Sequence, residues 1–277
     1  MAYKTILVHA DLSPHAPARI RLAARLAQAE QAHLVGAAMT GISRFVYAPG
    51  AGELARSVVA GYADALVQQA GQALAQFQSV AALAGAPSCE PRLVADDPEG
   101  GLVSLARFCD LLVLSQTDPA SAVTGAVRDL PEYVMLNSPR PVLMAPYAGE
   151  YTRLDGTVVV AWNGRIEAAR AVSQALPVLQ RAARVIVVHF DTGEPADPPA
   201  QSPELLTWLG RHGVAAELHE EHTGSDTGAA LLSLAAEQQS SLVVMGGYGH
   251  TRFRELMLGG MTRTVLQKMG RPVLMSH

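Results

Sequence analysis

Cysteine, aromatic side chains and charge are all scarce in this chain of 277 residues. The two cysteines, Cys89 and Cys109, have no metal-type or redox-type pairing, which excludes a disulfide framework. Both read as buried thiols of a reducing compartment. Charged residues make up 17% of the chain and the net charge is −4. A general binder of nucleic acid or of anionic membranes needs a basic surface, so neither is expected. No run approaches the ~20 apolar residues of a membrane span. The opening MAYKTILVHADLS has a short apolar stretch interrupted by Asp11, too little for a signal peptide. The expected location is the cytoplasm. The Walker A and GxGxxG patterns are absent too, so the common phosphate loops are excluded.

What is present is a repeat. Leu242–Met275 reads LVVMGGYGHTRFRELMLGGMTRTVLQKMGRPVLM, and Leu111–Met144 reads LLVLSQTDPASAVTGAVRDLPEYVMLNSPRPVLM. The two align without a gap and share the ending Arg-Pro-Val-Leu-Met. Gly246, Gly249 and Gly259 of the later copy face Ser115, Asp118 and Arg128 of the earlier one. A glycine-rich loop in one unit and none in its twin suggests one working ligand site and one retired site.

The rest of the chain follows the same plan twice. Short apolar strands at Thr5–His9 and Thr157–Ala161 lead into polar turns, then into helices with apolar spacing at Ala16, Ile20, Ala23, Ala27 and at Ala168, Val172, Ala175, Leu179. Ser13 is expected to cap the first helix, with Pro14 at its first position. Pro177 is expected to end or kink the second. Further strands and helices alternate, including a long alanine-rich helix over Ala51–Ala84. The pattern predicts α/β architecture: two tandem Rossmann-like domains, 1–148 and 149–277, each a parallel sheet of about five strands flanked by helices. Val142–Met144 and Val273–Met275 should be equivalent strands near the contact between the domains.

In an open parallel sheet, ligands collect at the carboxyl ends of the strands. Met245 closes a strand there, followed by Gly246-Gly247-Tyr248-Gly249. Gly259-Gly260 precedes a helix that starts near Met261, whose free N–H groups and dipole favour an anion. Two sources of backbone N–H facing one crevice would form a polyphosphate cradle, with Arg252, Arg254 and Arg263 nearby for charge. The alternative is that these glycines only form turns. Asp226 reads as a helix cap, and His250 as a solvated residue. His219-Glu220-Glu221-His222 lies near a strand end and not on one helix face, so a metal site is not expected.

The spacing Gly-x2-Gly-x9-Gly, continued through Leu256-Met257-Leu258-Gly259 and Arg271-Pro272-Val273-Leu274-Met275, resembles the universal stress protein family. The whole chain looks like a tandem member. That resemblance implies domains that pair through their last strands, within the chain or as a homodimer. It also implies ATP held without rapid turnover, with ADP, AMP and an accompanying Mg²⁺ compatible.

Carried over by position, Gly246, Gly249 and Gly259 match the phosphate-contacting glycines, with Met245 before them. Gly260 replaces a usual hydroxyl residue, and Thr262 keeps a second hydroxyl. Asn163 stands where an aspartate often meets adenine, and Phe190 at an adenine-flanking position. Asp11 keeps the acid in the first domain, where the phosphate glycines are gone. The implied function is nucleotide-dependent regulation in stress adaptation. A slow ATP hydrolase and a nucleotide-free interaction module are the alternatives, and no general base or protein partner can be named.

Overall fold

The computed structural model describes residues 2–41, 53–120, 130–149, 151, 153–191, 201–223, 226–248 and 260–277. The chain divides into two compact units, Tyr3–Leu114 and Ser115–His277.

The first unit contains β1 (Thr5–His9), α1 (Ala16–Glu30), β2 (His33–Met39), α2 (Glu53–Leu83), β3 (Ser88–Val94), α3 (Pro98–Ala106) and most of β4 (Leu111–Ser115). Its strands lie in the order β3-β2-β1-β4, and every neighbouring pair is parallel. Ile6, Leu7 and Val8 are at most 1% exposed, as expected of a strand covered on both faces. The apolar stripe of α1 is buried as its spacing predicts, with Ala16, Ile20, Ala23 and Ala27 at 0% exposure. Gly36 on β2 admits the ring of Phe77 from α2. A Cβ there would lie 2.4 Å from that ring.

Two local expectations fail here. Ser13 does not cap α1. His15 holds the cap position without a side-chain bond, because the Ser13 amide and hydroxyl both donate to Asp11 Oδ1, at 3.0 and 2.6 Å. Cys109 is buried but Cys89 is exposed, since β3 has a largely exposed side-chain pattern.

The second unit contains α4 (Leu130–Asn137), β5 (Val142–Ala145), β6 (Thr157–Ala161), α5 (Ile166–Leu179), β7 (Arg184–Asp191), α6 (Ser202–Arg211), β8 (Ala216–His222), α7 (Thr227–Glu237), β9 (Leu242–Gly246), α8 (Met261–Lys268) and β10 (Val273–Ser276). Its strand order is β5-β10-β9-β6-β7-β8. The five strands from β10 to β8 are all parallel. Pro177 lies inside α5, in its last turn, and the helix ends two residues later at Leu179. Asp226 caps α7 as expected, accepting the Ala229 amide at 3.0 Å.

One strand breaks the parallel pattern. β5 runs antiparallel to β10, with Val142 opposite Met275, Leu143 opposite Leu274 and Met144 opposite Val273. The repeated Arg-Pro-Val-Leu-Met endings therefore pair with each other. Antiparallel pairing lets two equivalent segments exchange ladder bonds, and each covers an edge the other would leave open. β5 thus belongs to the second compact unit, although the sequence pattern assigns it to the domain expected at 1–148.

Candidate functional site

In the second unit β6 lies between β9 and β7. The chain leaves β6 toward β7 through α5, whereas β9 lies on the other side. The carboxyl ends of β6 and β9 therefore flank the point where connections diverge, the place where an open sheet presents its crevice. Met245, Gly246, Asn163 and Phe190 all belong to this edge. Gly249 and Gly259 lie outside the described residues, as do Arg128, His250, Arg252 and Arg254.

The described part of the loop is firmly tied. The Gly247 amide donates to the Ser276 carbonyl at 2.9 Å, and the His277 ring lies 3.0 Å from the Gly247 carbonyl. Tyr248 takes a left-handed conformation, φ 55°, which costs a non-glycine residue about 1–2 kcal/mol. Its amide donates to Thr262 Oγ1 at 3.0 Å. Thr262 is 2% exposed and stands in the first turn of α8. A strand-end loop and a helix start are thus joined by one hydrogen bond. Gly260 occupies the cap position of α8 and offers no side-chain bond, so the positive end of that helix is not neutralised by a capping oxygen.

The other sequence-derived residues have internal roles. Gly246 is required by α5: a Cβ there would lie 2.6 Å from the Ala168 nitrogen and 2.7 Å from the Glu167 carbonyl carbon. This close approach seats the start of α5 against the end of β9. Met245 is a core side chain, 2% exposed. Asn163 is exposed, and its Oδ1 accepts the Arg165 amide at 3.1 Å. Phe190 is half-buried and sits opposite Glu221 on β8. Arg263 projects from the exposed side of α8.

Sequence reasoning missed a group that packs on this loop. Tyr248 Oη donates to Glu132 Oε1 at 2.5 Å, and Met135 Sδ lies 2.7 Å from where a Gly247 Cβ would stand. Both Glu132 and Met135 are on α4. Their distance in sequence from residue 248 left only the gapless repeat as a signal, since α4 aligns with α8.

The first unit answers at Asp11 with a different arrangement. Arg19 is 2% exposed; its Nε donates to the His9 carbonyl at 2.9 Å and its Nη2 lies 3.0 Å from Asp11 Oδ1. Burial tends to raise the Asp11 pKa, but Arg19 and the bonds from Ser13 outweigh it and hold the carboxyl below its usual range. Burial lowers the His9 pKa to about 4, against the pull of Asp11 and with help from Arg19. His9 is therefore neutral near pH 7, and its 3.4 Å approach to Asp11 is not an ion pair there. The Arg19–Asp11 contact is the operative one.

The family model for the Universal stress protein family matches residues 156–277. Residues 156–277 form a universal stress protein domain. Solved structures extend the fold to the whole length. A universal stress protein from Archaeoglobus fulgidus is 16% identical, with 98% of this chain and 95% of that one covered and a TM-score of 0.75. A Pseudomonas aeruginosa protein assigned to the universal stress proteins is 17% identical, with coverages of 99% and 93% and a TM-score of 0.58. At these identities the likeness is one of fold. It establishes that both repeats adopt the universal stress protein architecture. No curated protein matches the sequence. Among the described residues no helix is long and apolar enough to cross a membrane.

Proposed function

We propose that this chain is a regulatory protein that binds an adenine nucleotide, ATP foremost, in its C-terminal repeat. The observation that supports this is the bond from the Tyr248 amide to Thr262 Oγ1. It ties Tyr248, two residues after β9, to the first turn of the uncapped α8, where backbone N–H groups and the helix dipole favour phosphate oxygens. Met245 and Gly246 supply the strand end, and Gly249, Gly259, Gly260 and Thr262 the remaining phosphate contacts. Asn163, just after β6, and Phe190, near the end of the adjacent β7, are the residues for the base: an amide can both donate and accept, and a ring can stack. ADP and AMP share this chemistry. Mg²⁺ would travel with the phosphates, and no described residue is assigned to it. Stress adaptation in the cytoplasm is the role that the family membership suggests. The repeat boundary is placed at 148/149, with the first repeat degenerate as a nucleotide site.

One alternative has an observation of its own. Asn163 already accepts the Arg165 amide, and Gly246 is required by α5 whatever the ligand. A nucleotide-free interaction module would use both residues in this way. Mass spectrometry of ligand released from freshly purified protein, followed by calorimetric titration with ATP, separates the readings. Bound or added adenine nucleotide supports the regulator. Turnover to ADP and phosphate supports a slow hydrolase. A protein that is empty and ignores ATP supports the module. Within the regulator reading, Gly259→Val should weaken ATP at least about tenfold, through lost charged hydrogen bonds, and Arg252→Ala far less.

A further inference from the structure

The loop that carries the proposed phosphate contacts is not held by its own repeat alone. Tyr248 keeps a left-handed backbone at φ 55°, an arrangement that persists only where surroundings over-determine it. Its amide is fixed by Thr262, but its side chain is fixed by Glu132 on α4, 116 residues earlier in the sequence. Beside it, Met135 of the same helix fills the space over Gly247, where a Cβ would meet its sulfur at 2.7 Å. Val134 and Met135 are at most 1% exposed, so α4 is anchored in the core and does not follow the loop.

We propose that Glu132 is a positioning residue for the phosphate loop of the C-terminal repeat. Through Tyr248 Oη it sets the direction of the Tyr248 amide and the course of the chain leaving Gly247. In this arrangement α4 has kept its place in the degenerate repeat as a buttress for the other repeat's ligand site. The glycine at 247 serves the same end: it lets the α4 side chain press directly on the loop backbone. The proposal rests on the nucleotide reading for its affinity readout and on geometry alone for its second readout.

The test uses the full chain and four variants: Glu132→Gln, Glu132→Ala, Tyr248→Phe and the Glu132→Ala/Tyr248→Phe double. Calorimetry measures ATP affinity, and hydrogen exchange followed by NMR measures protection of the Tyr248 amide. Gln retains an acceptor oxygen, so Glu132→Gln should bind ATP within about twofold of the parent. Glu132→Ala and Tyr248→Phe should each weaken it about fivefold, and the double variant no further, because both remove one and the same bond. The Tyr248 amide should exchange faster in both single variants. Should Glu132→Ala fail to fold, Tyr248→Phe removes only one oxygen and carries the test. If the parent binds no ATP, the nucleotide reading fails, and exchange at Tyr248 still decides whether Glu132 positions the loop. Folded variants with parental exchange, or with additive losses of affinity, would overturn the proposal.

Discussion

Gln116 and Gly247 occupy the same position in the two repeats, and their surroundings begin alike. The Gln116 amide donates to the Ala145 carbonyl at 2.7 Å, and the Gly247 amide to the Ser276 carbonyl at 2.9 Å. From there the two loops diverge. Gln116 is 3% exposed; its Nε2 donates to the Leu266 and Gln267 carbonyls, both at 3.0 Å, and its Oε1 accepts the Tyr147 amide at 3.3 Å. It fills its loop with a side chain and satisfies the last carbonyls of α8. Gly247 fills nothing and receives Met135 instead. A second pair shows the same divergence. Asp11 and Asn163 each accept an amide two residues on, but Asp11 is also bound by the buried Arg19, where the second repeat has Ala171, buried and apolar. In the first repeat both positions carry a side chain held by several partners; in the second, one position has no side chain and the other keeps the single bond from the Arg165 amide.

The largest effect should come at Gly246. A valine there drives a Cβ into the backbone of α5, and neither element can yield cheaply. We expect a loss of about 3 kcal/mol or more in urea unfolding. The equivalent Ser115→Val change, where a Cβ is already housed, should cost clearly less. Equal costs would mean that the two strand ends are not packed differently.

Next in size is Gln116→Ala. Removing the amide leaves the Leu266 and Gln267 carbonyls without this donor, at a cost of about 2 kcal/mol. ATP affinity should not change. A large change in affinity would show that the first loop also feeds the second repeat's site.

A pH effect of about 2 kcal/mol should separate the first repeat from the second. His9 has a pKa near 4 when folded against an ordinary value of 6.5, so the unfolded chain binds the proton first. Stability from this group is complete above pH 6.5 and falls as pH drops toward 4; the span from pH 7 to pH 5 accounts for the stated figure. Asp11, with its lowered pKa, adds a further loss only below the ordinary carboxylate range. Ala161 stands where the second repeat would need such a histidine. His9→Ala should therefore flatten the pH dependence of urea unfolding between pH 7 and pH 5. An unchanged slope would refute a neutral buried His9. Both tryptophans, Trp162 and Trp208, lie in the second unit, so circular dichroism is the suitable probe.

The smallest effect is expected for Gly247→Ala. The obstructing atom is the sulfur of a flexible side chain, which can move. We expect about 1 kcal/mol in the parent, and clearly less when the same change is made in a Met135→Ala background, whatever that background itself costs. An equal loss in both backgrounds would place the obstruction in the backbone.

Much of the fold was legible because its signals are local. Apolar spacing marked α1 and α5, and the duplicated Arg-Pro-Val-Leu-Met ending marked equivalent strands. The capping of α7 by Asp226 was equally local. The cap of α1 was misread because Ser13 had two candidate partners, and the turn at Asp11 won. Cys89 was misread because composition does not distinguish an edge strand from a central one. At the candidate site, the glycines were visible as a pattern, but their reasons were not. Gly246 answers to α5 and Gly247 to Met135, and both neighbours are distant in sequence.

By itself the sequence determined the alternation of strands and helices, the duplication, and which repeat has lost its loop glycines. These follow from side-chain periodicity and from residue types that only certain backbone conformations accept. The tertiary structure decided that β5 and β10 run antiparallel, that Arg19 engages Asp11, and that Tyr248 meets Glu132 of α4. Each of these depends on which surfaces meet once the chain is packed: β5 and β10, like Glu132 and Tyr248, lie more than a hundred residues apart, and Arg19 reaches Asp11 from a side chain that packing has buried.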